Sequence, residues 1–358
     1  MASGRMRPLR ERLTREALPY PLGSPWVWDL VRRYGLPLWF ALTTVAHWRA
    51  LFGPWVPGFD TELAVGAAKN WLDGGDPWAF SLIGESGNVY HFAGLPPTLF
   101  AYAALVPLGT QLAGYVGIAF SVVAAILIVR RLRLPLWWLL FPPLNESVAV
   151  ANPHVVLLAL LILGGGWLAP AIKVYAFVPM LGERRWRQIA MALGAFAGTL
   201  IAAPGLWWHW VTNFGAINAR LVAEAQDGWA LTGPAVILGI VPILAIAWRK
   251  DLRTAGWLVI PAAWPASEFF YSTLAMPVMT PLLAVFLAIP RHVGPPLAIA
   301  VYALWLVWSQ RAAPRPGPIR ARVVGVFAGL RLGRTARGAP GSRDGPRAGL
   351  RDGRPRRS

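Results

Sequence analysis

The chain has 358 residues, 56% of them hydrophobic and only 14% charged, with a mean hydropathy of +0.48. Its net charge of +18 gathers at the ends. Thirteen Arg against two Asp give residues 311–358 a charge of +11, and seven Arg against three acids give residues 1–33 a charge of +4. Basic termini around an apolar body read as orientation signals or anionic-lipid contacts, and nucleic acid is set aside as a partner. The lack of cysteine excludes disulfides, thiolate metal sites and Cys nucleophiles.

Apolar runs of roughly 17–25 residues recur, long enough to cross about 30 Å of hydrocarbon. The expected fold is all-α, a polytopic membrane helical bundle of about 9–11 spans. Residues 1–35 form a basic, Pro-interrupted cytoplasmic arm. The first apolar run, 36–52, lacks a small-residue cleavage site after it and reads as a retained span, opening a membrane domain over 36–310. The positive-inside rule puts the following loop, 53–95, outside the cytoplasm. That loop belongs to the one long polar stretch between apolar runs, 58–97, with Asp60, Glu62, Asp73, Asp76 and Glu85 against a single Lys69. Leu63, Ala64, Ala67, Ala68 and Trp71 recur at helical spacing, so a short surface helix is predicted over 61–72 with Asp60 at its N-cap.

Apolar blocks follow at 95–108, 111–129, 134–150, 153–166 and 167–181, ahead of a basic run over 183–187. Either five short or three longer crossings would bring that run to the cytoplasm. Residues 189–203 return outward to a Trp-rich external segment, 204–228, holding His209, Arg220, Glu224 and Asp227. Further spans are predicted near 229–247, 255–271, 274–290 and 293–309. The 311–358 tail is Arg/Gly/Pro-rich low complexity, for which disorder is the expectation.

Ionisable groups in or beside spans are costly and are the first functional candidates. Asp60, at the outer surface, can be a helix cap, a general base, or both. Lys173, inside an apolar run, must snorkel, pair with an acid or meet an anion. Arg49, Lys69 and Arg220 are further cations near the same height. Glu146 and Glu268 lie near span ends, where structural hydrogen bonding is the simpler role. His91, His154 and His209 can hold a phosphate or relay a proton. No His/Asp/Glu spacing points to a metal site, and no phosphate-binding Gly loop or nucleophile elbow is present.

The order of features then resembles a known family. A first span leads to a loop opening on Asp60, an Ala pair in a short helix, and Gly74-Gly75-Asp76-Pro77 before an aromatic. Tyr90, Leu95-Pro96-Pro97 and Val106-Pro107-Leu108 follow, then Asn152-Pro153, Ile172-Lys173 with Tyr175, and Pro179 before the basic run. Last come Pro265, Ser267, Tyr271 and Pro277. Over about residues 36–290 this resembles the GT-C glycosyltransferases, specifically glycosyltransferase family 87, which includes polyprenol-phosphate-mannose-dependent α-1,2-mannosyltransferases.

The resemblance implies a multi-pass plasma-membrane hexosyltransferase with an extracytoplasmic active site and no cofactor or obligatory metal. It implies a polyprenyl-phosphate sugar as donor, with mannose the expected hexose, and a glycan or glycolipid acceptor. Asp60 falls on the family's loop aspartate and Lys173 on its middle-helix lysine. Arg49, Lys69, His91, His209 and Arg220 complete the expected donor-binding set. One departure is Phe270, where relatives often carry His. The alternatives are a transporter or flippase of a lipid-linked glycan, and a non-catalytic relative.

Overall fold

The computed structural model describes residues 30–51, 57–84, 87–224, 234–249, 251–264, 268–289 and 294–312. The expectations for the N-terminal arm before residue 30 and for the tail beyond residue 312 lie outside them. The described chain is mostly helical. A π-helical turn, Val31–Gly35, leads into α1 (Leu36–Leu51), and α2 (Phe59–Leu72) follows the first connection. A 3₁₀ turn, Pro77–Ala79, then precedes a hairpin of β1 (Ser81–Ile83) and β2 (Val89–His91), paired Ser81 to His91, Leu82 to Tyr90 and Ile83 to Val89. This hairpin is the departure from an all-α reading among the described residues.

Next come α3 (Pro96–Ala103), α4 (Thr110–Arg131), α5 (Pro142–Ala149), α6 (Pro153–Leu163), α7 (Ala169–Ile172) and α8 (Phe177–Gly182). The described chain ends with α9 (Trp186–Ala202), α10 (Pro204–Glu224), α11 (Pro234–Trp248), α12 (Leu252–Ala263), a 3₁₀ stretch Phe269–Val278, α13 (Pro281–Leu287) and α14 (Gly294–Ala312).

Several apolar blocks are not single helices. Among the described residues, α4, at 22 residues, is by length and composition long enough to cross a bilayer, and up to three crossings are reached if each of two bent pairs counts as one span. The pair α5 and α6 bends by 115°, and α9 and α10 by 105°. That differs from the 9–11 spans expected from run lengths, and proline explains much of it. Pro142, Pro153, Pro170, Pro204 and Pro281 each stand in the first turn of a helix. A proline fixes φ and lacks an N–H, so it starts a helix readily and cannot continue the one before it. Hydropathy windows run across such junctions unbroken.

A large apolar core joins α1, α4, α6, α12 and the 269–278 stretch, with Phe40, Phe141, Ile128, Leu158 and Trp257 nearly or fully buried. A smaller one sits under the loop, where Ala64, Ala67 and Ala68 of α2 meet Trp78, Phe92, Leu99 and Ile217. The stripe read from the sequence is therefore the face α2 buries. It docks against α3 and α4. Small residues set the approach: a Cβ added at Gly117 of α4 would stand 2.4 Å from the Thr61 hydroxyl, and one at Gly58 would stand 2.7 Å from the Gly114 backbone.

Candidate active site

The bend between α5 and α6 builds the site. Its residue Ala151 takes a left-handed φ of 52°, unusual for a side chain with a Cβ. The turn presents three successive carbonyls to the start of α2. Ala149 O accepts from Gly58 N at 3.1 Å, Val150 O from Asp60 N at 3.0 Å, and Ala151 O from the Thr61 hydroxyl at 3.1 Å. The first amides of a helix have no partner within it. Here the bend supplies partners, and that fixes where α2 begins.

Asp60 is not the N-cap. Gly58 holds that place with φ 81°, and Asp60 sits in the first helical turn, its carboxylate bonded to Asn152. Its Oδ2 accepts from Asn152 Nδ2 at 2.5 Å. Asn152 is itself the N-cap of α6, where its Oδ1 accepts from His154 N at 3.0 Å. Burial raises the Asp60 carboxyl from 3.8 to about 6; the Asn152 donor and then the Lys173 charge pull it back, and Glu146 adds to the rise. The desolvation cost of the charged form therefore outweighs its partners.

Asp60 opens into a cleft enclosing about 790 Å³, mouth included. Lys173, His91, Asn152, Glu224 and Glu268 share its wall, with Tyr90, Tyr102 and Tyr271. Lys173 stands at an extended break between α7 and the 3₁₀ turn Val174–Ala176, with φ −146° and ψ 125°. That break takes the lysine off the helix and puts it on the cleft wall. His91 of β2 is clamped to the end of α10: its N donates to Glu224 Oε2 at 2.9 Å, and its Nδ1 meets Oε1 at 2.5 Å.

The other expected cations do not join them. Lys69 pairs with Asp73 at 2.5 Å on the exposed side of α2. An i,i+4 pair on a helix faces whichever way that side faces, and here it is solvent. His209 stacks on Trp78 with ring centroids 5.5 Å apart and lies 3.3 Å from Asp76. It does not line the cleft. Arg220 is half-buried on α10 and is likewise absent from the wall, although Leu221 and Glu224 on the same helix reach it. The Arg49 side chain lies outside the described residues. Glu146 stands 3.3 Å from the buried His47, in keeping with a structural role.

Sequence reasoning missed Asn152 as a site residue, along with Glu224 and Tyr102. An Asn-Pro pair ahead of an apolar run is a helix-start signal, and that was the available clue; its second function, holding Asp60, needed the fold. Among the described residues no three His, Cys, Asp or Glu side chains converge as a metal site. No family model matches the chain, and neither a curated protein nor a solved structure matches it.

Proposed function

We propose that the protein is a membrane-embedded glycosyltransferase of the GT-C type, related to glycosyltransferase family 87. In this reading it moves a hexose, with mannose the leading candidate, from a polyprenyl-phosphate donor to a glycan or glycolipid acceptor. The observation that carries the proposal is a carboxylate, Asp60, held by Asn152 in a cleft it shares with Lys173. A proton acceptor works best when its pKa lies near the operating pH, and about 6 leaves Asp60 ionised yet basic at neutrality.

Asp60 takes the proton of the acceptor hydroxyl as that oxygen bonds to the sugar C1. The C1–O bond to phosphate breaks on the opposite face, its electron pair leaves with the phosphate, and the anomeric centre inverts. Lys173 offsets the charge gathering on the departing phosphate, with His91 further along the same wall. A bilayer setting is supported by the apolar residues on the outside of the molecule, among them Phe120 and Val123 on α4 and Ile201 and Val211 on α9 and α10. On α4 alone Leu112, Tyr115, Phe120, Val123 and Leu127 are exposed, and large apolar patches are uncommon on soluble monomers. In the same reading the loop side is extracytoplasmic and the basic 183–187 corner cytoplasmic.

The test is transfer from radiolabelled polyprenol-phosphate-mannose in membranes holding the wild type or Asp60→Asn. Loss of transfer with expression intact is expected, and undiminished transfer removes Asp60 from the mechanism. A second reading, a transporter of a lipid-linked glycan, draws on acid–base pairing between separate elements: His47 with Glu146, His91 with Glu224, and Lys173 placed to feel both Asp60 and Glu268. Translocation of a fluorescent lipid-linked sugar in vesicles, retained by Asp60→Asn, would favour it.

A further inference from the structure

Behind Asp60 a chain of side chains leads away from the cleft wall. Asn152 Nδ2 donates to Asp60, and Asn152 Oδ1 accepts from the backbone and from Nδ1 of His154. His154 Nε2 meets the Tyr175 hydroxyl. The Tyr175 ring in turn packs beside Tyr271, with centroids 5.7 Å apart, and Tyr271 lines the same cleft as Asp60. The imidazole is fully buried. It packs against Tyr271 at 4.2 Å, Phe270 at 5.2 Å and Tyr175 at 5.5 Å between ring centroids.

Hydrogen-bond chemistry fixes the roles along this chain. An amide oxygen only accepts, so Nδ1 of His154 must carry the proton, and Nε2 of the neutral ring accepts from Tyr175. With its oxygen engaged twice by His154, the Asn152 amide has one orientation left, with NH₂ toward the carboxylate. Inverted, it would set a carbonyl oxygen against Asp60.

We infer that His154 is a positioning residue for the reaction: it locks the Asn152 amide so that Asp60 is aimed into the cleft, and Tyr175 holds the imidazole in turn. This rests on the glycosyl-transfer reading of the cleft. The ring takes no part in the chemistry, since it touches neither the cleft nor a reacting atom. The charged groups acting on Asp60 are Lys173 and Glu146, and Tyr102, Tyr175 and Tyr271 feel its charge in return. None of them substitutes for the Asn152 donor.

The experiment is a double-mutant cycle on the full-length protein in membranes, with two readouts. The first is transfer rate. The second is the protonated-carboxyl infrared band of Asp60 followed against pH, taken as the difference from Asp60→Asn. His154→Phe keeps an aromatic ring in the pocket and removes both side-chain hydrogen bonds. Misaiming a reacting group slows a reaction steeply, so the turnover rate should fall about tenfold to a hundredfold with the donor KM nearly unchanged. The Asp60 titration midpoint should rise, as it should in Asn152→Ala, and the double variant should be no worse than Asn152→Ala alone. Losses that add, with the midpoint unmoved, would make His154 mere packing and overturn the inference. Tyr175→Phe is the gentler variant if His154→Phe does not fold; a midpoint unchanged there is equally fatal. If the wild type transfers no sugar, the functional reading fails while the infrared midpoint still decides this one.

Discussion

Two polar clusters in this protein show opposite outcomes for a carboxylate surrounded by protein. Glu183, at the corner between α8 and α9, accepts from Arg253 Nε at 2.9 Å, from the Trp257 indole at 2.8 Å and from Arg185 Nε at 2.7 Å. Arg185 reaches on to the Leu161 carbonyl at the end of α6. Burial pushes the Glu183 carboxyl up, but the Trp257, Arg185 and Arg253 donors together outweigh it and hold the group below its usual range. Asp60 has one donor, Asn152, and burial wins. A carboxylate saturated with donors is a rivet. One left short of them, beside open space, keeps its appetite for a proton, which is the property the proposed role of Asp60 requires.

The largest expected effect that sharpens this contrast is on rate. Asp60→Asn should lower glycosyl transfer by about 10²–10⁴-fold, the usual worth of a general base, measured in membranes with labelled donor. Glu183→Gln should leave the chemistry of the cleft alone. It should instead cost about 1–3 kcal/mol of stability, because two arginines lose a partly buried counter-charge, read as a lower midpoint in thermal unfolding in detergent.

The two acids should also respond to pH in opposite senses. Asp60 has its folded pKa raised from 3.8 to about 6, so its stabilising contribution is complete below pH 3.8 and is lost as pH rises through about 6. Asp60→Asn should then gain about 1–3 kcal/mol over wild type above pH 6. In the proposed mechanism transfer depends on the ionised form, so its rate should climb through about pH 6 and level off. Glu183 has its folded pKa lowered; its contribution is present above the ordinary Glu value and disappears as pH falls through the folded one. Stability against pH for each single variant separates the two. The smallest effect belongs to Lys69→Ala, which breaks only the exposed pair with Asp73. It should change stability by less than about 1 kcal/mol and transfer not at all.

Much of this was legible in the chain before folding. Asp60 stood out because the polar stretch around it interrupts apolar runs, and the stripe of Ala64, Ala67 and Ala68 gave both the helix and its buried face. Lys173 stood out as a charge where none is cheap. Periodicity could not tell that Lys69 faces outward to Asp73, because one residue's direction depends on how the whole helix is docked. It could not place Asn152 beside Asp60 either, since that contact spans 92 residues of sequence. The count of crossings was hidden for another reason. Average hydropathy is blind to the proline and glycine junctions at which α5, α7 and the 269–278 stretch change direction or helix type.

The bend at residues 149–151 carries a final implication. Three consecutive peptide oxygens there receive the opening of α2, while Asn152, the next residue, grips Asp60. Loop and inner helices are thus fastened at one joint, so any tilt of α2 that widens the cleft must drag the α5–α6 elbow with it. Hydrogen exchange at the Gly58 and Asp60 amides would record that coupled motion as a single opening event.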